Sequence, residues 1–411
     1  MIVERVDSGA VHPTCVIYEG GQMKIAILGG GVAGVASAIA FRLKGFDVTV
    51  HERRDADTNI GAGIVVWPNA AFVLERFGIL DEIAAVAGRP RTMRRLSRAG
   101  EDLGALDIGL IDERMGYPSL SILRSDFQRI LLARLQSLGV AVRYGHEVVR
   151  IDEGTVVHVD DGTTLTADLV VGADGRMASC ARRYVTGDDT PVYQGFINWI
   201  GVCEGDDIAF DVDAISDYWG TGERFGIVPV APNRAYWAGG AAEAIVGARN
   251  PDAYRDELQR IFAHWPEPVR RIVAATPAAR INKIYVHDHD PVPTWHRDNL
   301  ILVGDAAHAA LPTSGQGACQ ALEDAWHLAN CVEAHPGSLD QALAAFTALR
   351  FQKTAGITMA GRALAASLFN RDEAFCRERD RTSRHAHFGD LALAMADGWS
   401  RHLPLRARVS G

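Results

Sequence analysis

The chain has 411 residues, 48% of them hydrophobic, enough to bury two cores and to suggest two or three domains. A net charge of -9 without any dense Lys/Arg run argues against nucleic acid as a partner, and no apolar window of about 18 residues offers a membrane span. Six cysteines form no C-x-x-C pair and no His-flanked cluster, which argues against a redox disulfide or a zinc site and fits reduced thiols in a cytoplasmic protein.

Residues 1–22 carry Glu4, Asp7 and Glu19 without the basic start and apolar stretch of a secretion signal, and are expected to be a loosely held extension with no catalytic part. An apolar run at 24–28 then predicts a strand. It leads through Gly29-Gly30-Gly31-Val32-Ala33-Gly34 into a helix reaching about Lys44, with Gly45 supplying the left-handed residue that ends it. In such a β-α-β entry Gly29 makes the tight turn, Gly31 lets the backbone approach a pyrophosphate, and Gly34 lets helix and strand pack closely. The first helical N–H groups, at Val32 and Ala33, face the anion. Glu52 closes a second apolar run at 47–50, 18 residues after Gly34, where a carboxylate binds ribose hydroxyls; Arg53 follows it. This fingerprint alone serves NAD and FAD equally well.

Next come Gly61-Ala62-Gly63-Ile64, read alone a loop, and an amphipathic helix at 125–138. That helix shows Phe127, Ile130, Leu131, Leu135 and Leu138 on one face, Ser125 as N-cap, Gly139 beyond and Arg124 just before. Short strands are expected at 140–144 and 148–151. A buried one at 168–171 ends in Gly172-Ala173-Asp174-Gly175. From 192 to 242 the pattern changes to aromatic-rich antiparallel strands with a turn at Pro232-Asn233. Two helical stretches at 251–275 and a strand at 281–286 follow. Residues 299–303 return to buried parallel-strand character and end in Gly304-Asp305-Ala306-Ala307-His308. After Pro312, Ser314-Gly315-Gln316-Gly317-Ala318 opens a helix, and the remainder is mostly helical.

The expected fold is therefore α/β: a Rossmann-like dinucleotide-binding domain interrupted by a smaller mixed-sheet substrate domain, with a helical C-terminal region. The boundaries are 1–22 for the extension, 23–182 and 291–350 for the two parts of the nucleotide domain, 183–290 for the insert, and 351–411 for the C-terminal helices. A strand hairpin near 90–110 contributes to the insert. Taken together and in this order, the five motifs read as a site for FAD.

The order G-x-G-x-x-G, acid, G-A-G-I, Arg before a helix, D-G, then G-D-A-A-H-x-x-x-P-x-x-G-Q-G-A resembles the class A flavoprotein aromatic hydroxylases of the p-hydroxybenzoate hydroxylase fold, over roughly residues 23–350. Gln194 to Trp199, Trp219 to Arg224 and Tyr236-Trp237 resemble the branch holding urate, 3-hydroxybenzoate and salicylate hydroxylases and 6-hydroxynicotinate monooxygenase. The resemblance implies that Asp305 accepts hydrogen bonds from the ribityl hydroxyls of FAD; read alone it would cap a helix. It implies likewise that Gly63 and Ile64 border the flavin ring and that Arg124 contacts FAD. Asp174 and Gly175 would serve both FAD and the nicotinamide, with an Asp-Gly turn as the bland alternative. Gly304 would bind FAD beside Asp305, and Pro312, Gly315, Gln316, Gly317 and Ala318 would lie against the isoalloxazine. The helix dipole beginning there would stabilise reduced FAD.

For the substrate, Arg224, Tyr236, Trp199, Trp219 and Trp237 offer one cation, one phenol and flat apolar surface, which suits a planar aromatic or heteroaromatic anion. Arg224 and Tyr236 match substrate-contacting positions of the urate hydroxylase branch. Tryptophans in a sheet serve equally as core. His287 and His289 lie two apart without a third ligand, so no metal is expected.

The resemblance implies an FAD-dependent monooxygenase that takes a hydride from NADH or NADPH and uses O2 through a flavin C4a-hydroperoxide, as a monomer or homodimer without integral membrane association. An epoxidase or polyketide-tailoring hydroxylase of the same fold would share every motif. A prenyl-binding escort protein would not need the 312–318 segment.

Overall fold

The computed structural model describes residues 17–18, 21–56, 62–205 and 210–405; expectations for most of 1–22 and for Gly61 fall outside them. The nucleotide-binding unit is built on a six-stranded sheet ordered His296–Arg297, Leu300–Leu302, Leu169–Gly172, Lys24–Leu28, Asp47–His51, Val142–Arg143. All neighbours are parallel except the first pair, so the central strands are covered on both faces and read as continuous apolar runs. The helix Val32–Leu43 packs on this sheet and against the helix Gly317–Ala334. Gly45, at φ +86°, turns the chain after it as expected.

Several strand and helix ends shift by one or two residues from the sequence reading, and one shift touches the site. The helix expected from Ser125 runs Arg124–Ser137 with Leu123 as N-cap and no side-chain cap bond. Arg124 is thus its first residue, and Ser125 lies inside the first turn.

The insert is a seven-stranded mixed sheet ordered Asn282–Asp288, Val192–Glu204, Arg234–Ala242, Glu223–Ala231, Ala214–Trp219, Thr92–Ser97, Asp102–Asp107. The last two strands come from the early part of the chain, and Thr92–Ser97 runs parallel to Ala214–Trp219. Alternation along the strands gives this sheet two faces. Trp199, Phe225, Ile227 and Trp237 pack outward beneath the helices Tyr254–Ile261 and Glu267–Ala275. The other face meets the nucleotide-binding unit through Tyr236, Val230, Ala62 and Leu123.

The 30-residue helix Leu339–Leu368 ties the two units together. Near its start Leu343 and Phe346 join the nucleotide-binding core, and at its end Leu368 and Phe369 pack on Phe196, Trp219 and Leu311.

Candidate active site

The first glycine loop behaves as its spacing requires. Gly29 has φ +114°, and a Cβ there would stand 2.3 Å from the Ala173 carbonyl oxygen; one on Gly34 would stand 1.9 Å from the Gly29 oxygen. Those two glycines are demanded by packing. Gly31 is different: among the described residues nothing lies within 4 Å of where its Cβ would be, and the helix that starts at Val32 carries no side-chain cap. Its first N–H groups are therefore open to an anion. The Glu52 carboxylate accepts from the Gly30 N–H at 2.6 Å and from the Arg54 N–H at 3.0 Å, and Gln128 donates to the Gly30 oxygen at 2.8 Å. Gly304, at φ +58°, reaches this loop directly, since a Cβ on it would meet the Ala33 Cβ at 2.6 Å.

Asp305 opens the short helix Asp305–His308, for which Gly304 is the N-cap, so its carboxylate does not cap. It pairs instead with Arg176 at 3.0 Å. Arg124 is exposed, yet desolvation by the surrounding protein holds its guanidinium below its ordinary range; Asp305 opposes this, and Arg176 and Arg54 add to it. Such a cationic neighbourhood suits an anionic ligand. Arg53 is exposed beside Asp174. Asp174 turns its carboxylate onto the Ser179 hydroxyl and the Ala181 N–H at 3.1 Å, at the start of the helix Cys180–Thr186, and burial pushes its carboxyl above the usual range. Next to it, Gly175 at φ +85° again has nothing within 4 Å of its would-be Cβ.

The late glycine segment is held from three sides. Pro312–Ser314 forms a single 3-10 turn, Gly315 follows at φ +61°, and Trp67 Nε1 donates to the Gly315 oxygen at 3.0 Å. Gly317 has nothing within 4 Å of a would-be Cβ, Ala318 packs partly buried against the core, and the helix Gly317–Ala334 begins without a side-chain cap. Behind it lies a buried polar network that sequence reasoning missed. Gln316 Oε1 accepts from Asn69 and Gln320, at 2.9 and 3.0 Å, and both also donate to Glu323. Arg350 binds Glu323 at 2.6 Å and Asp324 at 2.7 Å, while Lys353 binds Glu323 at 2.8 Å. Asp324 in turn accepts from the Gly304 N–H at 2.8 Å and meets His308. Two acids and two bases with side chains at most 2% exposed are costly to separate from one another, so the network fixes Gly304 and Gln316 in place. Its signal was available: adjacent acids inside an apolar helix, and Arg350 with Lys353 one turn apart in the next.

Three loops and two uncapped helix starts thus converge, with room beside Gly31, Gly175 and Gly317. That donor set fits a dinucleotide carrying a flavin.

On the insert, Tyr236 lies against Gly63, its ring 2.0 Å from where a Cβ would be. Its hydroxyl has no hydrogen-bond partner among the described residues, and desolvation, then Cys319, pushes its phenol far above the ordinary value. Arg224 is not a free cation. Its Nε donates to Asp217 Oδ1 at 2.6 Å, and Asp217 Oδ2 accepts from Trp219 Nε1 at 2.9 Å. Trp219 is buried against Phe196, Leu311 and Phe369, with Arg95 and Arg379 over its ring. Trp199 does not line this face at all. It is 1% exposed on the outer side of the sheet, because odd and even positions of a strand point to opposite faces, and Trp237 shares that side. His289 binds the Arg176 oxygen, His287 the Tyr285 oxygen, and no metal-holding cluster occurs among the described residues.

A sequence profile of the FAD binding domain matches residues 22–343. The FAD-dependent urate hydroxylase of Mycolicibacterium vanbaalenii is 31% identical over 350 residues, 83% of this chain and 87% of that protein. The 3-amino-4-hydroxybenzoate 2-monooxygenase of Streptomyces cremeus is 34% identical over 370 residues, 88% of this chain and 92% of that one. Among solved structures, Klebsiella pneumoniae HpxO complexed with FAD and uric acid superposes with a TM-score of 0.83 at 28% identity, covering 92% of this chain and 96% of its own. No helix among the described residues is long and apolar enough to cross a membrane.

Proposed function

The chain belongs to the FAD binding domain family, and from that premise we propose that it uses NADH or NADPH and O2 to hydroxylate a planar aromatic or heteroaromatic anion. It is an FAD-dependent monooxygenase of the aromatic hydroxylase type. Bound FAD supplies hydride acceptance and oxygen activation.

The protein's own residues bind, orient and exclude water. The uncapped start of Gly317–Ala334 offers a positive dipole end to a reduced, anionic ring. Apolar walls on two sides, Ala62 with Leu123 and Leu311 with Phe369, keep water from the space between them. Tyr236 stays a neutral phenol at physiological pH and can donate a hydrogen bond to a ring oxygen. Arg224 binds acceptor atoms on the substrate with its terminal nitrogens.

The observation that carries this reading is the meeting of Tyr236 with Gly63. It sets the polar face of the insert against the segment assigned to the flavin edge. The test is a screen of purified, FAD-loaded protein in which aromatic acids and purines are offered with NADH or NADPH under 18O2. One ring compound should accelerate nicotinamide oxidation and gain a single labelled oxygen. Nicotinamide oxidation that no ring compound accelerates, or a product without label, overturns the reading.

A further inference from the structure

The inner face of the insert sheet is packed at two ends and open between them. Read across strands by register, one row is Asn198, Gly240, Arg224, Trp219; the next is Ile200, Ala238, Gly226, Asp217, Arg95; the third is Val202, Tyr236, Val228. Rows lie about 7 Å apart, two residues along a strand. The first row is covered, since a Cβ on Gly240 would meet the Phe369 ring at 2.8 Å. The third is covered by Gly63 and Leu123 around Tyr236.

The middle row is open only at Gly226, between Ile200, which packs toward Tyr236, and Asp217, which is buried. Gly226 is buried, yet among the described residues the nearest atoms to a Cβ built on it are Arg224 Nη2 at 3.8 Å and the Ala238 oxygen at 3.9 Å. Its neighbours Ile200, Ala238, Val228 and Arg224 keep partial exposure in the middle of an otherwise packed face. Arg224 lies across this space. Asp217 holds it by Nε alone, and the terminal nitrogens make no hydrogen bond among the described residues. Both Asp217 oxygens are engaged, by Arg224 and Trp219, so the carboxylate fixes the fork without competing for its tip.

We propose that Gly226 is the size gate of the substrate pocket and that Asp217 is the positioning residue that aims Arg224 into it. The pocket then takes a flat ring laid over Gly226 and Ala238, with two acceptor atoms along one edge on the Arg224 fork. Asp217 lies between Arg224 and Arg95, so the row keeps a net positive charge, and the fork takes either a carboxylate or a ring edge bearing adjacent carbonyl or ring-nitrogen acceptors. This assignment rests on the hydroxylase reading above.

The test is equilibrium binding, followed by flavin absorbance, of urate, salicylate, 6-hydroxynicotinate and 3-amino-4-hydroxybenzoate to FAD-loaded wild type, Gly226→Ala, Gly226→Leu and Asp217→Asn. Gly226 does not occupy the left-handed region, so alanine is compatible with the backbone. FAD content and melting temperature are measured alongside. A probe that binds the wild type should weaken in order of size, about 5-fold for Gly226→Ala and 50-fold or more for Gly226→Leu, roughly 1 and more than 2 kcal/mol, with FAD content and melting temperature of the alanine variant unchanged. Steady-state turnover of the probe that binds, with NADH or NADPH, should show for Asp217→Asn a KM about tenfold higher with a smaller fall in kcat, because the substitution loosens ground-state binding. Binding to Gly226→Ala and Gly226→Leu as tight as to wild type overturns the gate and leaves the hydroxylase reading standing. An equal fall in kcat and kcat/KM for Asp217→Asn overturns its positioning role. Failure of every probe to bind the wild type overturns the hydroxylase reading for these ring classes, and the gate with it.

Discussion

The Tyr236 ring lies where a side chain on Gly63 would begin: a Cβ there would stand 2.0 Å from Cδ1 and 2.3 Å from Cε1. Tyr236 is fenced by Ala62, Leu123 and Val230 and cannot swing aside without moving one of the two sheets. Gly63→Ala should therefore cost about 1–3 kcal/mol through overpacking and loosen the seam between insert and nucleotide-binding unit. Thermal unfolding reads the loss. The double variant Gly63→Ala, Tyr236→Ala should recover part of it, and no recovery would show that the two residues do not share that space.

This contact also marks what the sequence hides. The roles of Gly29 and Gly34 were legible because their steric demands arise within one turn and one helix. For Gly63 only the expected place beside the flavin was legible; that it also receives the Tyr236 ring was not, because Tyr236 lies far along the chain in another sheet. Arg224 was legible as a cation on a strand but not as one already paired, since the pairing with Asp217 depends on register across a hairpin. Trp199 was assigned to the pocket on chemistry, whereas its strand parity sends it to the opposite face. The Glu323, Asp324, Arg350 and Lys353 network left a trace in the sequence, charges inside apolar helices, that a search for cofactor motifs passes over.

Gly31→Val separates cofactor binding from folding. No atom of the described residues lies within 4 Å of the new Cβ, so the protein without FAD should fold with little change in melting temperature. A side chain at the closest approach to the pyrophosphate should nevertheless abolish FAD retention. Absorbance at 450 nm per chain checks it; a variant that stays fully yellow would move the phosphates away from Gly31.

Asp305→Ala should behave in the same direction and more mildly. Its pair with Arg176 is about a third exposed at both ends, a class that contributes about 0–1 kcal/mol, so stability should change little. Loss of a charge-assisted bond to a ribityl hydroxyl should lower FAD affinity about 10- to 150-fold, or 1.5–3 kcal/mol. Fluorescence titration of the stripped protein with FAD measures it, and an unchanged affinity would confine Asp305 to its pair with Arg176.

Stability should fall on mild acidification. Desolvation, then Arg143 and His146, lower the His51 pKa to about 4 from 6.5, and the ring is 2% exposed beside the first nucleotide-binding strands. The folded state holds it neutral while the unfolded chain takes up a proton below 6.5. Its contribution is therefore complete above 6.5 and is lost as pH falls toward 4, at up to about 1.4 kcal/mol per pH unit. Urea unfolding at pH 7, 6 and 5 should show the slope, and His51→Gln should flatten it. A slope identical in the variant would assign the acid sensitivity to other groups.

The two polar residues of the insert's inner face should fail in different ways. Arg224→Met removes the terminal nitrogens proposed to bind substrate in ground and transition states alike, so KM should rise more than kcat falls. It also leaves Asp217 buried with one partner fewer, which predicts a loss of about 3 kcal/mol or more in stability; Arg224→Lys keeps the charge and separates the two effects. Tyr236→Phe keeps the ring that packs on Gly63 and loses only a hydroxyl with no partner among the described residues, so its melting temperature should hold. What it loses is orientation of the reacting ring. NADH or NADPH should still be consumed at a comparable rate, with hydrogen peroxide released in place of much of the hydroxylated product. Peroxide and product are quantified per nicotinamide oxidised. If Tyr236→Phe couples as tightly as the wild type, Tyr236 serves only as the wall against Gly63, and the orienting donor has to be sought elsewhere on this face, with Asn198 beside Gly240 as the next polar side chain to test.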